Sequence, residues 1–250
     1  MFEKFKHRSY ELEHLDTGNY TPEEYEGCIV ELQKVNRWLG DANTLRETLL
    51  RDVDAERLES FSVLDVGAGS GELLRVASRW AHETRRTFLG VGLELNARSA
   101  EAILEQSPSD IDAVRGDALN LPFADGQFDY AICSLFTHHF VDESVVEIFR
   151  EMSRVAKRKI FIIDLHRHPA AYFLYTTVGK LFLHERLLRE DGALSILRSF
   201  KIDELVKLGQ RAALKNVSVS RHFPFRLVLA ASGQSGSAYA APSIKTDRAA

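Results

Sequence analysis

An acidic residue and three alternating glycines stand together early in the chain, in the pattern Asp65-x-Gly67-x-Gly69-x-Gly71. The apolar run before them, Ser62–Val66, predicts a short strand buried on both faces. Glycine lets the backbone turn sharply and lie against a ligand. Apolar residues then recur at helical spacing from Leu73 to Ala81, so amides at a helix N-terminus are expected to face that ligand. The stretch therefore predicts a nucleotide-sized cradle.

Two later acids end predicted strands and are candidates to hold the same ligand. Glu94 lies 23 residues after Gly71, where a carboxylate can accept hydrogen bonds from both ribose hydroxyls of an adenosine. Dinucleotide enzymes use the same device, so Glu94 alone does not discriminate between nucleotides. Asp117 follows the third predicted strand, and its alternative interpretation is a turn residue that caps the next segment.

The glycine spacing differs from the dinucleotide fingerprint G-x-G-x-x-G. Together with Asp65, Glu94 and Asp117, it resembles the first motifs of the class I S-adenosylmethionine-dependent methyltransferases of the small-molecule type. The resemblance implies S-adenosyl-L-methionine as the cofactor, with the Asp at position 117 bonding the adenine amino group and the next amide reading the ring. The residues expected to bind it are Asp65, Gly67, Ala68, Gly69, Glu94, Leu95, Asp117, Ala118 and Ser134.

The stretch Phe128–Phe140 resembles the fourth-strand motif of the same family, in which the backbone near Ser134 and Leu135 lies along the methionine part of the cofactor. The resemblance places His138 and His139 near the transferred methyl group. A neutral imidazole, with an ordinary pKa of about 6.5, could accept a proton from a phenol or an enol. We expect His139 to be the catalytic base and name His138 second; the alternative for each is a helix cap or a packed side chain.

Two further histidines, His166 and His168, follow the next predicted strand. Their spacing and that of His138 and His139 matches no metal-ligand pattern, so no metal is expected. Cys28 and Cys133 are the two cysteines of the chain, and both are expected to be reduced and buried.

Strands and helices alternate from Phe61 onward, which predicts an α/β fold with a parallel sheet covered on both faces. Ligands of such sheets bind at the carboxyl ends of the strands. Segments 217–223 and 225–230 flank Pro224 too closely for a crossover helix, so they must pair antiparallel if both form. A Rossmann-like doubly wound sheet of five parallel strands ending in an antiparallel hairpin is also what the methyltransferase resemblance implies.

Three segments flank or interrupt this core, which we place at residues 61–230. Residues 1–60 are expected to form a helical lid. One of its helices should begin at Thr21–Glu24 with a capping box. Tyr20, Tyr25 and Trp38 either cover the site or pack the lid onto the core. Residues 165–200 are too long for an ordinary connection and are interpreted as a helical cap, or as an insert packed on the outer face of the sheet. Residues 231–250 are assigned to a disordered tail.

Composition limits the classes of partner. The chain has 250 residues and a net charge of −4, which argues against a general nucleic-acid binder. The charge is unevenly divided, with a net +7 over residues 165–250 and −11 over residues 1–164. No apolar run approaches the roughly 18 residues of a membrane span, and no signal peptide is recognised, so a cytoplasmic location is expected.

The sequence thus predicts a methyltransferase that acts on a small, apolar or aromatic acceptor, by O- or C-methylation. An RNA or protein methyltransferase is the first alternative, supported by the basic C-terminal part. A non-catalytic cofactor-binding scaffold and a nicotinamide dehydrogenase are the others. The oligomeric state is left open.

Overall fold

The computed structural model describes residues 3–18, 20, 21, 23, 24, 27, 28, 31 and 40–234. In this part of the chain, seven strands form one sheet in the order β3-β2-β1-β4-β5-β7-β6. They are β1 (Ser60–Val66), β2 (Thr87–Glu94), β3 (Ile111–Arg115), β4 (Phe128–Ser134), β5 (Ala156–Leu165), β6 (Lys215–His222) and β7 (Arg226–Ser232). The first five strands pair in parallel, and β7 pairs antiparallel with both β5 and β6. The predicted sheet is confirmed.

Helices connect the parallel strands and cover both faces of the sheet. Helix α1 spans residues 41–55 in three consecutive segments, Asp41–Leu45, Arg46–Leu50 and Arg51–Ala55, of which the middle one is π-helical. The others are α2 (Glu72–Glu83), α3 (Ala97–Gln106), α4 (Asp142–Val155), α5 (Pro169–Phe182), α6 (Arg186–Arg198) and α7 (Ile202–Arg211). Within the described residues, no helix combines the length and the apolar character that crossing a membrane requires.

Alternation along the strands divides the core into two layers. On β5, Ile160 and Ile162 belong to the cluster under α4 and α7, whereas Phe161 and Ile163 belong to the cluster under α1 and α2. Side chains alternate across a strand, and β5 is buried on both faces, so four consecutive apolar residues are needed there. The sheet is thereby a rigid platform whose strand ends carry the polar residues.

The chain reverses its direction of travel across the sheet between β1 and β4. From β1 it runs outward to β3, and it then returns to place β4 on the other side of β1. Ligands of open α/β sheets bind in the crevice at this point, outside the carboxyl ends of the strands. The glycine pattern lies at the end of β1, and Ser134 ends β4, so the crevice lies between them.

Several boundaries differ from the sequence-based expectation. Strand β5 begins at Ala156, directly after α4, because its first residues pair with Phe128 and the rest of β4. Ala231 and Ser232, which we assigned to the disordered tail, are the end of β7 and pair with Ile160 and Lys159. The expectation for 231–250 is therefore wrong at its start, and residues 235–250 lie outside the described residues.

The N-terminal predictions are tested only in part. Thr21 and Glu24 form the predicted capping box, in which the Thr21 amide donates to the Glu24 carboxylate at 3.0 Å and the Glu24 amide to Thr21 Oγ1 at 3.2 Å. Tyr25 and Trp38 lie outside the described residues. The insert at 165–200 contains two helices, α5 and α6, as its interpretation as a helical cap requires. The cap role itself stays a prediction.

Candidate functional site

The glycine loop after β1 is held open toward the crevice. Gly67, Gly69 and Gly71 have φ angles of +70°, +58° and +76°, a backbone region that residues other than glycine rarely adopt. A Cβ added at Gly67 would lie 2.3 Å from the Phe136 ring, whereas one added at Gly69 would have no neighbour within 4 Å. The backbone at Gly69 is therefore accessible to a ligand.

Asp65 is the penultimate residue of β1 and is 2% exposed. Burial raises the pKa of its carboxyl to about 8, and the nearby charge of Glu94 adds to the effect. Its Oδ1 atom is buried and has no hydrogen-bond partner within the described part of the chain. A buried carboxyl oxygen without a partner at a strand end is a feature that a bound polar ligand would satisfy.

Glu94 ends β2, and Asp117 lies two residues after the end of β3. The Gly69 amide donates to the Glu94 carboxylate at 2.5 Å, so this carboxylate already faces the glycine loop. Burial raises the pKa of Glu94. Asp117 is exposed and accepts a hydrogen bond from the Leu119 amide at 2.9 Å, which is the turn-capping geometry weighed above. Of the residues that follow these two acids, Leu95 is exposed and Ala118 is buried.

The end of β4 turns sharply into the two adjacent histidines. Ser134 Oγ is buried without a hydrogen-bond partner in the described structure, and Leu135 has a φ of +50°. A short 3₁₀ turn, Thr137–His139, follows. The Leu135 amide still donates to the Ile163 carbonyl of β5 at 2.9 Å, and the positive φ of Leu135 then turns the chain out of β4.

Asp164, at the end of β5, organises that turn. It accepts hydrogen bonds from Thr137 Oγ1 at 2.8 Å and the His138 amide at 3.1 Å, and it contacts His138 Nδ1 at 2.6 Å. Its own burial would raise the pKa, but His138 and these hydrogen bonds, with one from the Leu165 amide, hold the pKa at about 2. Asp164 therefore stays ionised and fixes the His138 ring through Nδ1, leaving Nε2 as the other functional nitrogen.

His139 lies on the more open side of the pair. Its side chain is 30% exposed, against 3% for His138, and the two ring centroids are 4.3 Å apart. Its Nδ1 is 3.9 Å from a carboxylate oxygen of Glu13, whose side chain is 4% exposed. A buried carboxylate therefore lies beside the histidine that the sequence predicts as the base.

The same groups could also be considered as metal ligands. Glu13, His138 and His139 each offer one ligand atom, all within 4.8 Å of one another. Arg198 Nε already lies 4.0 Å from a Glu13 carboxylate oxygen, and a divalent cation would have to compete with that charge. We therefore interpret the cluster as a proton-transfer group, and the sequence-based expectation of no metal stays a prediction.

Two buried arginines clamp the histidine turn from outside the sheet. Arg8 donates to the carbonyls of His138 at 3.3 Å and Phe140 at 3.0 Å, and it contacts the Asp142 carboxylate at 2.5 Å. Arg198, from α6, donates to the carbonyls of His138 at 3.2 Å and His139 at 2.7 Å. The N-terminal segment and the insert thus meet over the end of β4.

Sequence reasoning missed Asp164, Glu13, Arg8 and Arg198. An acid at the carboxyl end of a predicted strand was a signal for Asp164, since Asp65 and Glu94 were found in that way. The other three lie in segments without a motif, and only their long-range contacts reveal them. His166 and His168, which follow the fifth strand as predicted, line a separate cavity.

The arrangement of strand-end acids, glycine loop and histidine turn agrees with a comparison of families. Residues 63–159 match a family model described as a methyltransferase domain. This stretch of the chain is therefore similar to methyltransferase domains. The match covers β1 to the start of β5 and contains the glycine loop, Glu94, Asp117 and both histidines.

Curated relatives match the chain over a longer stretch than the family model does. A demethylmenaquinone methyltransferase of Thermotoga maritima is 31% identical over 134 residues, which are 54% of this chain and 52% of the relative. A demethylmenaquinone methyltransferase of Bacillus licheniformis is 28% identical over 180 residues, 66% of this chain and 73% of the relative. The methyltransferase domain and its flanks thus span about half the length of the Thermotoga relative.

Among solved structures, the magnesium protoporphyrin IX methyltransferase of Synechocystis PCC 6803, crystallised with bound SAH, shares the fold. It superposes with a TM-score of 0.54 at 15% identity, over 78% of this chain and 84% of that one. At this identity the likeness concerns the architecture, including the antiparallel end of the sheet.

Proposed function

We propose that the chain is an S-adenosyl-L-methionine-dependent methyltransferase that acts on a small, apolar or aromatic acceptor such as a reduced quinone. The observation that carries the proposal is the matched methyltransferase domain with an open Gly69 backbone facing Glu94. The two relatives named demethylmenaquinone methyltransferases support a quinone ring as the acceptor.

The residues at the crevice fit the adenosyl cofactor. Glu94 would hold the ribose hydroxyls, Asp117 and Ala118 the adenine, and the loop from Asp65 to Gly69 the methionine part together with Leu95 and Ser134. The unpartnered Asp65 Oδ1 and Ser134 Oγ are the polar atoms that such a ligand would satisfy. Bound cofactor would supply a methyl group that its sulfonium has already activated.

The protein then has to align the acceptor, exclude water and remove a proton. Alignment and exclusion of solvent together can supply roughly 7–11 kcal/mol. We propose His139 as the base, because its ring is partly exposed and has Glu13 beside it. His138 is nearly buried, so we assign it the positioning of the turn through Asp164, with proton acceptance as its second role.

The N-terminal segment (1–60) and the insert (165–200) would act as lid and cap over the acceptor. Phe5 packs edge-on against Tyr172 of α5 at 5.6 Å, so the two segments touch each other. Both also reach the histidine turn, through Arg8 and Arg198. Such a cover would keep water from the acceptor while the methyl group is transferred.

Cofactor binding is the first experiment. Titration calorimetry should show S-adenosyl-L-methionine binding to the wild type, and Glu94→Gln should weaken it about 10- to 100-fold, since hydrogen bonds to a charged group contribute about 1.5–3 kcal/mol. Glu101→Gln, an exposed acid of α3, is the matched control. Wild-type protein that ignores the cofactor, or equal affinities of the two variants, would contradict the proposal.

Turnover is the second experiment, with a reduced short-chain demethylmenaquinone as the acceptor. His139→Gln should lower kcat by about 10²- to 10⁴-fold with little change in cofactor affinity, which is the usual contribution of a general base. Unchanged kcat across the pH range would remove the assigned role from His139.

A further inference from the structure

A separate cavity lies beyond the end of β5, away from the glycine loop. It has a volume of about 400 Å³, which is within the range of small-molecule sites. Its wall is built from the N-terminal turn (Phe5 and Lys6), the segment His166–Pro169, the start of α7 and Arg221 of β6. Among the residues that the structure describes, this wall includes no member of the glycine loop and neither His138 nor His139.

The cavity wall carries an excess of positive charge. Six basic side chains line it, against the single carboxylate of Asp203; they are Lys6, His166, Arg167, His168, Lys201 and Arg221. Two of the six are neutralised, since Lys6 pairs with Glu3 at 2.6 Å and Arg167 with Glu204 at 2.5 Å. Asp203 lies 3.8 Å from Lys207.

Lys201 and Arg221 form no ion pair within the described part of the chain. Arg221 is exposed on β6, and the residues that line the cavity just after β5 include two histidines and no acid. A guanidinium offers paired donors that match the oxygens of a phosphate, and an ammonium adds a point charge beside it. These two side chains are therefore cationic groups without a counter-charge at the mouth of a cavity.

A histidine N–H group and two helix N-termini add hydrogen-bond donors and partial positive charge to the cavity wall. His168 Nδ1 accepts from the Ala170 amide at 3.1 Å, so in the neutral ring the proton is on Nε2, which is a donor. Helices α5 and α7 both begin at the wall, at Pro169 and Ile202, and their dipoles bring partial positive charge there.

The electrostatic effect is visible on His166. Burial first, and then the positive charges of His168, Arg221, Arg167 and Lys201, together lower the pKa of His166 to about 4. The ring is thus neutral at pH 7. An anion in the cavity would offset the charges of Arg221 and Lys201.

From the cavity, its uncompensated Arg221 and Lys201 and the two helix starts, we infer a binding site for the phosphate group of a small phosphorylated molecule. The volume exceeds what a single phosphate fills, so the rest of the molecule would lie toward Phe5 and Ile202. The site does not depend on the methyl-transfer proposal, and its test needs no turnover.

The experiment uses the full chain with inorganic phosphate, pyrophosphate and phenyl phosphate as probes, at constant ionic strength set by NaCl. Saturable calorimetric binding and a shift of the His166 ring resonances are expected. Arg221→Gln should weaken pyrophosphate binding about tenfold or more, and Lys201→Gln should weaken it to a smaller extent. Arg79→Gln, an exposed arginine of α2, is the matched control and should bind like the wild type.

The three probes distinguish the sources of the phosphate. Tighter binding of phenyl phosphate than of inorganic phosphate supports a site for a phosphorylated molecule, and the reverse order supports a site for the free ion. Two outcomes would overturn the inference: no saturable binding beyond that of NaCl, or equal losses in Arg221→Gln and Arg79→Gln. Circular dichroism of each variant confirms that the fold is intact.

Discussion

Two buried carboxyl groups at strand ends, Asp65 and Asp164, have opposite titration behaviour. Burial dominates at Asp65 and raises its pKa to about 8. At Asp164, His138 and three hydrogen bonds outweigh the burial and keep the pKa at about 2. The same residue type in the same sheet position is therefore neutral in one case and ionised in the other at neutral pH, because only Asp164 has donors around it.

Asp65→Asn should stabilise the protein without ligand, and increasingly so as the pH rises. A raised folded-state pKa means that the wild type loses stability between pH about 4 and about 8, at up to roughly 1.4 kcal/mol per pH unit. Asn does not ionise, so the difference in the free energy of unfolding should grow over this window. Urea unfolding at several pH values measures it, and a constant difference would contradict the assignment.

Asp164→Asn should destabilise the protein, with the opposite pH dependence. A lowered folded-state pKa contributes stability that is present above pH about 4 and lost as the pH falls toward 2. The charge-dependent part of the loss should be about 2 kcal/mol at neutral pH and should vanish in acid. Equal losses at pH 6 and pH 3 in urea unfolding would show that the charge does not matter.

At the scale of elements, the glycine loop and the histidine turn are packed against each other. Phe136, just after β4, places its ring against Gly67, and it also packs edge-on with Phe140 at 4.9 Å. The loop after β1 and the turn after β4 therefore restrain each other across the crevice. The two neighbouring strand ends behave as one unit, since neither segment can shift without disturbing the other.

Gly67→Ala should destabilise the protein more than Gly69→Ala. Both substitutions place a Cβ at positive φ, which costs about 1–2 kcal/mol, but only Gly67→Ala also meets the Phe136 ring, for roughly 1–3 kcal/mol more. Thermal unfolding of both variants measures the difference. Adding Phe136→Ala should recover part of the loss of Gly67→Ala; a purely additive double mutant would contradict the contact.

The secondary structure around this unit was largely predictable. Alternating glycines, apolar runs and helical periodicity are local signals, and they correctly predicted the end of β1 and the position of Glu94 at the end of β2. The start of β5 and the end of β7 were missed, because Ala156 and Ser232 enter strands through pairing with distant partners rather than through their own propensity. The role of Asp164 was missed for a related reason, since its His138 partner is on another strand end.

At the scale of the whole molecule, contacts between distant parts of the chain close the candidate site. The Arg8 side chain is buried and bonds to the carbonyl of Arg198 at 2.8 Å, 190 residues away. Both arginines then bind carbonyls of the histidine turn. The N-terminal segment, the insert and the sheet are thus connected at one place, over the candidate base.

Arg8→Gln should loosen this connection. The loss of the Asp142 contact and of bonds to buried carbonyls should destabilise the protein by about 1–3 kcal/mol. Amide exchange should accelerate at residues 137–140 before it does so in β1. Arg150→Gln, an exposed arginine of α4 paired with Glu147, is the control and should change stability by less than about 1 kcal/mol. Equal effects of the two variants would contradict the role of Arg8.

The net positive charge of residues 165–250 was evident from composition, but its location was not. Lys201 and Arg221 gather at one cavity because α7 starts beside β6, while the acids of the same region pair elsewhere, as Glu204 does with Arg167. A count of charges averages over such pairing. Only the positions of the side chains separate a compensated cation from an uncompensated one.

The sequence by itself determined the order of strands and helices along the chain, the open loop after β1 and the acids at or next to the ends of β1, β2 and β3, because these features depend on periodicity and on residues close in the chain. The tertiary structure alone decided that Asp164 fixes His138, that Glu13 lies beside His139, and that His166 and His168 belong to a separate cavity. Each of these depends on which strand ends become neighbours in the sheet and on where the distant N-terminal segment packs. Residue types do not encode such long-range proximity one position at a time.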